Sequence, residues 1–325
     1  MARISLEDNF TDILGKAQGG LGLGDAELAR RAGVTVKEIA AAKDGHVDEA
    51  VLRKLAAALN LGANALVASA KQAWYPKEPG DFITQTARGK RQTSQAGTPM
   101  LPGSQAGTPV LPGSQAGTPM LPVVEGLACF NTPFSEMTVN AYLVFDPQTR
   151  AAAAFDTSTD CDAMLAFIRE RGLKVELILL THAHGDHVYE LDRLKEATGA
   201  KACISERETI PGVTRFADGH EFELGKKQAG SHPNVTFEAR RTSGHARGGT
   251  TFVVTGLSRR LAIVGDALFA GSMGGGMVNY AEALRTNRES IFTLPDDTVI
   301  CPGHGPLTTV GEEKAHNPFY PEFQK

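Results

Sequence analysis

Cysteine is scarce in this 325-residue chain: Cys129, Cys161, Cys203 and Cys301 stand far apart, with no CxxC pair. That spacing indicates neither a cysteine zinc site nor a disulfide framework, so buried free thiols are expected. Cys301, three residues before His304, is the alternative nucleophile. No apolar run approaches a membrane-spanning length, and the first eight residues lack the hydrophobic centre of a signal peptide, which points to a cytoplasmic protein. Neither sign of charge dominates: a net −4 gives no basic field for nucleic acid and no acidic tail. With 42% hydrophobic and 22% charged residues, the chain is globular and can bury one large core or two unequal ones.

What the chain does hold is a cluster of ligand-type side chains. Three of its nine histidines fall within Thr181-His182-Ala183-His184-Gly185-Asp186-His187, directly after the apolar run Val175-Glu176-Leu177-Ile178-Leu179-Leu180. The pattern reads as a buried strand, a tight loop, and a helix over residues 186–198. In an extended segment His182 and His184 project to one side, while Asp186 and His187 at a helix start point back to the same space. Imidazole nitrogen and carboxylate oxygen suit zinc and neighbouring metals, and four such groups in so short a loop suit two metals better than one. Two metals require further ligands. His245, Asp266 and His304 each follow a strand-like run and are the candidates.

This order, HxHxDH, a lone His, an Asp and a last His, resembles the metallo-β-lactamase-fold hydrolases over roughly residues 124–325. The resemblance implies an α/β fold, the αββα sandwich, with metal loops along one sheet edge. It implies one metal on His182, His184 and His245, a second on Asp186, His187 and His304, and Asp266 bridging, with Asp186 and Asp266 as the catalytic carboxylates. The cofactors expected are two divalent metal ions, zinc first, with iron or manganese as alternatives. Such a pair leaves a positive pocket that acidifies a bridging water, so hydrolysis of a small-molecule thioester or ester is the expected reaction. The segments Gly265-Asp266-Ala267-Leu268-Phe269-Ala270-Gly271 and Pro302-Gly303-His304-Gly305-Pro306 are most similar to short-form glyoxalase II enzymes, the hydroxyacylglutathione hydrolases. A mononuclear-iron persulfide dioxygenase, which resembles the same fold, is the alternative from another reaction class. A metal-domain sensor coupled to a DNA-binding head is the third reading.

The chain divides into three parts: a helical module at 1–75, a linker at 76–122 and the metal-hydrolase domain at 123–325. In the first, Leu52, Leu55, Ala56 and Leu59 have the spacing of a core-facing helix, and Thr35 with Glu38 forms a capping box. The string Glu27-Leu28-Ala29-Arg30-Arg31-Ala32-Gly33-Val34-Thr35 is similar to Cro/CI-type helix-turn-helix domains. DNA is nonetheless the disfavoured partner. Nine Lys/Arg balance nine Asp/Glu over residues 1–75, and three alanines occupy the helix that would read bases, so a docking or dimerising role is preferred, with a homo-oligomer left open. Residues 94–122 repeat the unit Ser-Gln-Ala-Gly-Thr-Pro three times, too short a period to bury a core, and read as a tether. The 203 residues from Val123 onward fall within the size of a self-sufficient domain, so the metal half is expected to work without the module. Residues 271–277 read as a mobile glycine-rich rim of the site. His46, His220, His232 and His316 lie outside any ligand pattern.

Overall fold

The computed structural model describes residues 4–84, 124–225 and 235–324. The repeats at 94–122 and His232 lie outside the described residues. Five helices come first: α1 (Phe10–Gly20), α2 (Asp25–Ala32), α3 (Val36–Lys43), α4 (Glu49–Ala58) and α5 (Ala63–Ala70). Their starts are encoded locally. Asn9 and Asp12 close a capping box on α1, Thr35 and Glu38 close the expected one on α3, and Asp48 accepts from the backbone of Ala50 and Val51 to open α4. Ile13, Leu28, Ile39, Leu52, Leu55 and Leu66 turn inward and are buried.

Two sheets follow. The first is ordered β1 (Phe82–Thr84), β2 (Leu127–Phe134), β3 (Met137–Phe145), β4 (Ala151–Phe155), β5 (Lys174–Leu179), β6 (Lys201–Ser205) and β7 (Thr214–Phe216). The second, from its far edge, is β13 (Thr308–Thr309), β12 (Val299–Pro302), β11 (Leu261–Gly265), β10 (Thr250–Thr255), β9 (Thr236–Arg241) and β8 (Glu221–Glu223). Helices α6 (Asp162–Arg171) and α8 (Leu191–Thr198) cover the first sheet, and α9 (Tyr280–Ser290) and α10 (Val310–His316) the second. The short α7 (Gly185–Val188) carries part of the histidine loop. Period-two alternation assigns the layers: Ala151, Ala153 and Phe155 of β4 fill the space between the sheets, while Ala152 and Ala154 pack with the α6 and α8 side chains. This is the expected αββα sandwich. Among the described residues no helix is long and apolar enough to cross a membrane.

The structure adds to or departs from the sequence reading in three places. Strand β2, to which the sequence reading gave no bounds, pairs with β3 from Leu127↔Val144 to Phe134↔Met137, with Pro133 near its end. The helix expected over 186–198 is two helices, α7 and α8, separated at Tyr189 and Glu190. Residues 82–84, assigned to the linker, pair in parallel with Cys129, Phe130 and Asn131, so the first sheet begins inside that segment.

The helical module and the sandwich share one core. Phe10, Ile13 and Leu66 belong to the same buried cluster as Val264, Leu268, Tyr280, Phe319 and Tyr320. Polar contacts fasten the same seam: Gly62 N–H donates to the Pro318 carbonyl at 2.7 Å, Lys16 Nζ to the Met273 carbonyl at 2.9 Å, and Trp74 stacks on His316 at 5.0 Å. On the far side of the seam α10 is anchored by Glu313. Its buried carboxylate accepts from Gly271 N at 3.0 Å, Thr308 Oγ1 at 2.8 Å and Asn317 Nδ2 at 2.8 Å. Burial, opposed by these donors, pushes its pKa up to about 8.

Two outcomes follow. A chain starting at Val123 exposes the face built from Tyr280, Phe319 and Tyr320, and is expected to aggregate or to melt more than ~10 °C below the full chain, read by sedimentation and circular dichroism. The folded pKa of Glu313 lies above its unfolded value. Its contribution is therefore present in full below about pH 4.5 and is lost as pH rises through about 8, so urea unfolding should show a shallower fall in stability across that window in Glu313→Gln than in the wild type.

Candidate metal centre

Four chain segments bring their side chains to one edge of the sandwich. The loop after β5 and its continuation α7 carry His182, His184, Asp186 and His187; the β9–β10 loop carries His245; Asp266 follows β11; His304 follows β12. All seven residues expected from the sequence meet there. Their donor atoms fall into two groups, His182, His184, His245 and Asp266 in one and Asp186, His187 and His304 in the other, each with all donors within 4.8 Å of one another.

The distances have the scale of a shared coordination sphere. His182 Nε2 and His245 Nε2 each lie 3.0 Å from His184 Nδ1. Asp266 Oδ2 is 3.3 Å from His245 Nε2 and 3.4 Å from His304 Nε2, and Asp186 Oδ2 is 3.5 Å from His187 Nε2 and 3.4 Å from His304 Nε2. Donors bound tetrahedrally at about 2.0–2.1 Å from a zinc-sized ion stand roughly 3.3 Å apart. His187 Nε2 and Asp266 Oδ1 are buried 3.2 Å from each other, yet neither has a partner in hydrogen-bonding geometry among the described residues. Orphans of this kind are costly in an ordinary core and are the atoms a cation would satisfy. The donor set fits divalent metals.

Charge points the same way. Burial acts to raise Asp266, yet His187 and His304 hold its carboxyl well below the usual range. Burial acts to lower His187 and His304, yet Asp266, helped by Asp156 at His187 and by Asp186 at His304, drives them up to about 10 and about 11. The buried carboxylates of Asp266 and Asp156, with the partly exposed Asp186 beside them, demand positive charge. His182 and His245 are instead pushed down, chiefly by burial, which keeps their rings neutral with a free lone pair.

A second layer of contacts aims the rings. Asp156, directly after β4, accepts from His187 Nδ1 at 2.8 Å and from Thr181 N and Oγ1, each at 2.8 Å. His304 Nδ1 donates to the Thr138 carbonyl at 2.6 Å, and His245 Nδ1 to the Gly275 carbonyl at 2.9 Å. Each bond turns Nε2 toward the cluster. Gly303 leaves the room: a Cβ there would lie 2.2 Å from Asp266 Oδ1 and 2.6 Å from the His187 ring. The sequence reading missed Asp156. Its one signal was an aspartate following the apolar Ala151–Phe155, the same pattern that singled out Asp266.

Residues 271–277 do form a rim, but one tied to the body of the domain through Glu313 at Gly271, Asn317 at Ser272 and His245 at Gly275. Cys301 is no nucleophile: it is fully buried between the sheets, and burial holds its thiol pKa well above the ordinary value. His46 is exposed, His220 packs between Phe216 and Phe222, and His316 stacks on Trp74.

Comparison with known proteins agrees with this geometry. The family model of the metallo-beta-lactamase superfamily matches residues 135–304, just over half of the chain. A probable metallo-hydrolase of Streptococcus pyogenes serotype M6 is 31% identical over 201 residues, 55% of this chain and 84% of that protein. The hydroxyacylglutathione hydrolase GloC of Haemophilus influenzae is 27% identical over 205 residues, 58% of this chain and 95% of its own length. The crystal structure of ETHE1 from Myxococcus xanthus superposes with a TM-score of 0.51 at 26% identity, covering 59% of this chain and 84% of that one. With the family match spanning the four layers and the ligand loops, the chain belongs to the metallo-beta-lactamase superfamily.

Proposed function

We propose that the chain is a dinuclear metal-dependent hydrolase of thioesters or esters, with one cation on His182, His184 and His245, a second on Asp186, His187 and His304, and Asp266 shared between them. The observation that carries this reading is Asp266 Oδ2, which stands 3.3 Å from His245 Nε2 and 3.4 Å from His304 Nε2. A single carboxylate is within reach of both donor groups. Divalent cations held by such donors supply Lewis acidity, polarising a carbonyl and acidifying water toward a pKa of about 7.

The remaining tasks fall to side chains. Asp266 and Asp186 offer carboxylate oxygens that accept hydrogen bonds from an attacking water and orient it. Asp156 keeps the His187 ring fixed while charge shifts around it. Glycine at 303 lets the His304 turn close on Asp266. With Cys301 sealed in the core, direct attack by water is favoured over a covalent intermediate on that thiol. A thioester substrate is supported by the hydroxyacylglutathione hydrolase relatives, and a hydrolytic reaction more broadly by the metallo-hydrolase relative.

For the helical module we favour a packing role over DNA recognition. Its cations are largely matched within the module: Arg30 and Arg31 on Glu27, Lys43 on Asp25, and Arg53 and Lys71 on Glu49. Few charges remain to neutralise phosphates.

Metal analysis of the purified protein should give two divalent ions per chain, zinc foremost, together with hydrolysis of S-lactoylglutathione. One iron per chain, oxygen consumption with glutathione persulfide and no thioester hydrolysis would overturn the reading. Asp266→Ala is expected to lose both metal and activity, whereas His46→Ala keeps both; retention of two metals and near-normal turnover by Asp266→Ala would sink the shared-ligand assignment. Asp156→Asn is expected to weaken metal binding about 10–100-fold, read by competition with a chelator, because His187 loses its charged orienting partner.

A further inference from the structure

The rim that orients His245 is held from the helical module. Gly275, whose carbonyl accepts from His245 Nδ1 at 2.9 Å, ends the segment Ser272-Met273-Gly274-Gly275. That segment lies against the metal ligands: a Cβ on Gly274 would collide with the Asp266 carbonyl and stand 2.9 Å from His245 Nδ1. Only a glycine permits so close an approach, and the fit leaves the rim no slack.

Lys16, near the middle of α1, reaches across the seam to the same segment. Its Nζ donates to the Met273 carbonyl at 2.9 Å and to Asp8, whose carboxylate also accepts from Ser272 Oγ. The pair therefore grips two consecutive residues of the rim, one by its backbone and one by its hydroxyl. The clamp is shielded from solvent, with the Asp8 side chain 8% exposed and that of Lys16 22%. An ion pair at such depth adds little net stability, because desolvation offsets the attraction, but its geometry is fixed by the donors it satisfies. Upstream, the metal domain secures the rim itself, through Glu313 at the Gly271 N–H and Asn317 Nδ2 at the Ser272 carbonyl. The Met273 carbonyl belongs to Lys16, which makes the module the last side-chain grip on the backbone before Gly274.

We propose that Lys16 is a positioning residue of the metal centre: through the Met273 carbonyl it fixes the rim whose Gly275 carbonyl aims His245 Nε2 at the first donor group. The inference rests on the metal-hydrolase reading above, and it gives a part in the site to a module that contributes none of the ligands. Lys16 also lies 5.1 Å above the Phe269 ring, which meets the His304 ring edge-on at 5.6 Å. That second route carries no hydrogen bond, and His304 is aimed independently by the Thr138 carbonyl. The ion on the His245 side is therefore the one that responds.

Competition between the zinc-loaded full chain and a chelator reads the two ions separately, because the constant that changes most in His245→Ala marks the first and the one that changes most in His304→Ala marks the second. In Lys16→Met the first ion should bind about fivefold or more weakly, short of the about 10–100-fold that loss of a directly bonded partner costs, with the second ion within about twofold of wild type. Asp8→Asn keeps Lys16 but loosens the clamp. It should move the same constant in the same direction by a smaller factor, and it carries the test should Lys16→Met fail to fold. Asp48→Ala removes the cap of α4 without altering the clamp, so it should lower the melting temperature and leave both constants unchanged. Unchanged constants in the clamp variants, equal weakening of both ions, or the same selective loss in Asp48→Ala would overturn the inference and leave the metal reading standing. A wild-type chain that takes up fewer than two zinc ions would overturn that reading and this inference with it.

Discussion

The structure turns on the burial of one charge. The Asp266 side chain is largely withdrawn from solvent, and its Oδ1, 3.2 Å from His187 Nε2, meets no donor in hydrogen-bonding geometry among the described residues. An isolated carboxylate in that position is untenable, so the surroundings must supply positive charge. Everything around it is arranged to that end. His187 and His304 are drawn to high pKa, their far nitrogens are fixed by Asp156 and the Thr138 carbonyl, and Gly303 clears the approach. A divalent cation answers the same demand more fully than two protons. The metal-binding geometry and the unsatisfied electrostatics are thus one fact seen twice.

The second constraint is the seam between the helices and the sandwich. The outer face of the second sheet needs cover, and α9, α10 and the tail supply part of it. Phe10, Ile13 and Leu66 extend that same cluster from the helical side. A mobile head would not share a core in this way. The seam also holds residues 4–8 in place, through Lys16 and Ser272 on Asp8 and Tyr75 on the Ile4 carbonyl, beside Gly305.

How much of this was legible beforehand depends on how local each signal is. The loop His182-Ala183-His184-Gly185-Asp186-His187 concentrates four donors in six residues, and His245, Asp266 and His304 each follow an apolar strand, so the site could be read from spacing and residue type. The helix α3 opens where the Thr35–Glu38 capping box put it. Asp156 carried the same local signal as Asp266, an aspartate ending an apolar strand, and was missed because the HxHxDH, His, Asp, His order has no place for it. The shared core was not legible. An amphipathic pattern tells which face of a helix is buried and not what covers it, so a repetitive stretch between two compact-looking parts suggested independence.

Strand β11 shows how a backbone irregularity, rather than residue choice, completes the centre. Along it Leu261 and Ile263 face the other sheet, while Ala262 and Val264 face the helical layer. Strict alternation would send Asp266 to the side of Val264, away from the space between the sheets. The pairing with β12 slips instead: Ile263 faces Cys301, but it is Gly265 that faces Pro302. One extra residue on β11 restores Asp266 to the parity of Ile263, and Gly265 accommodates the distortion at φ 52 in a spot where a Cβ would come 2.4 Å from Thr181 Oγ1. The bulge therefore does for the carboxylate what hydrogen bonds do for the histidines. A strand that paired without it would be the more regular, and would not bring the Asp266 carboxylate within 3.4 Å of both His245 Nε2 and His304 Nε2.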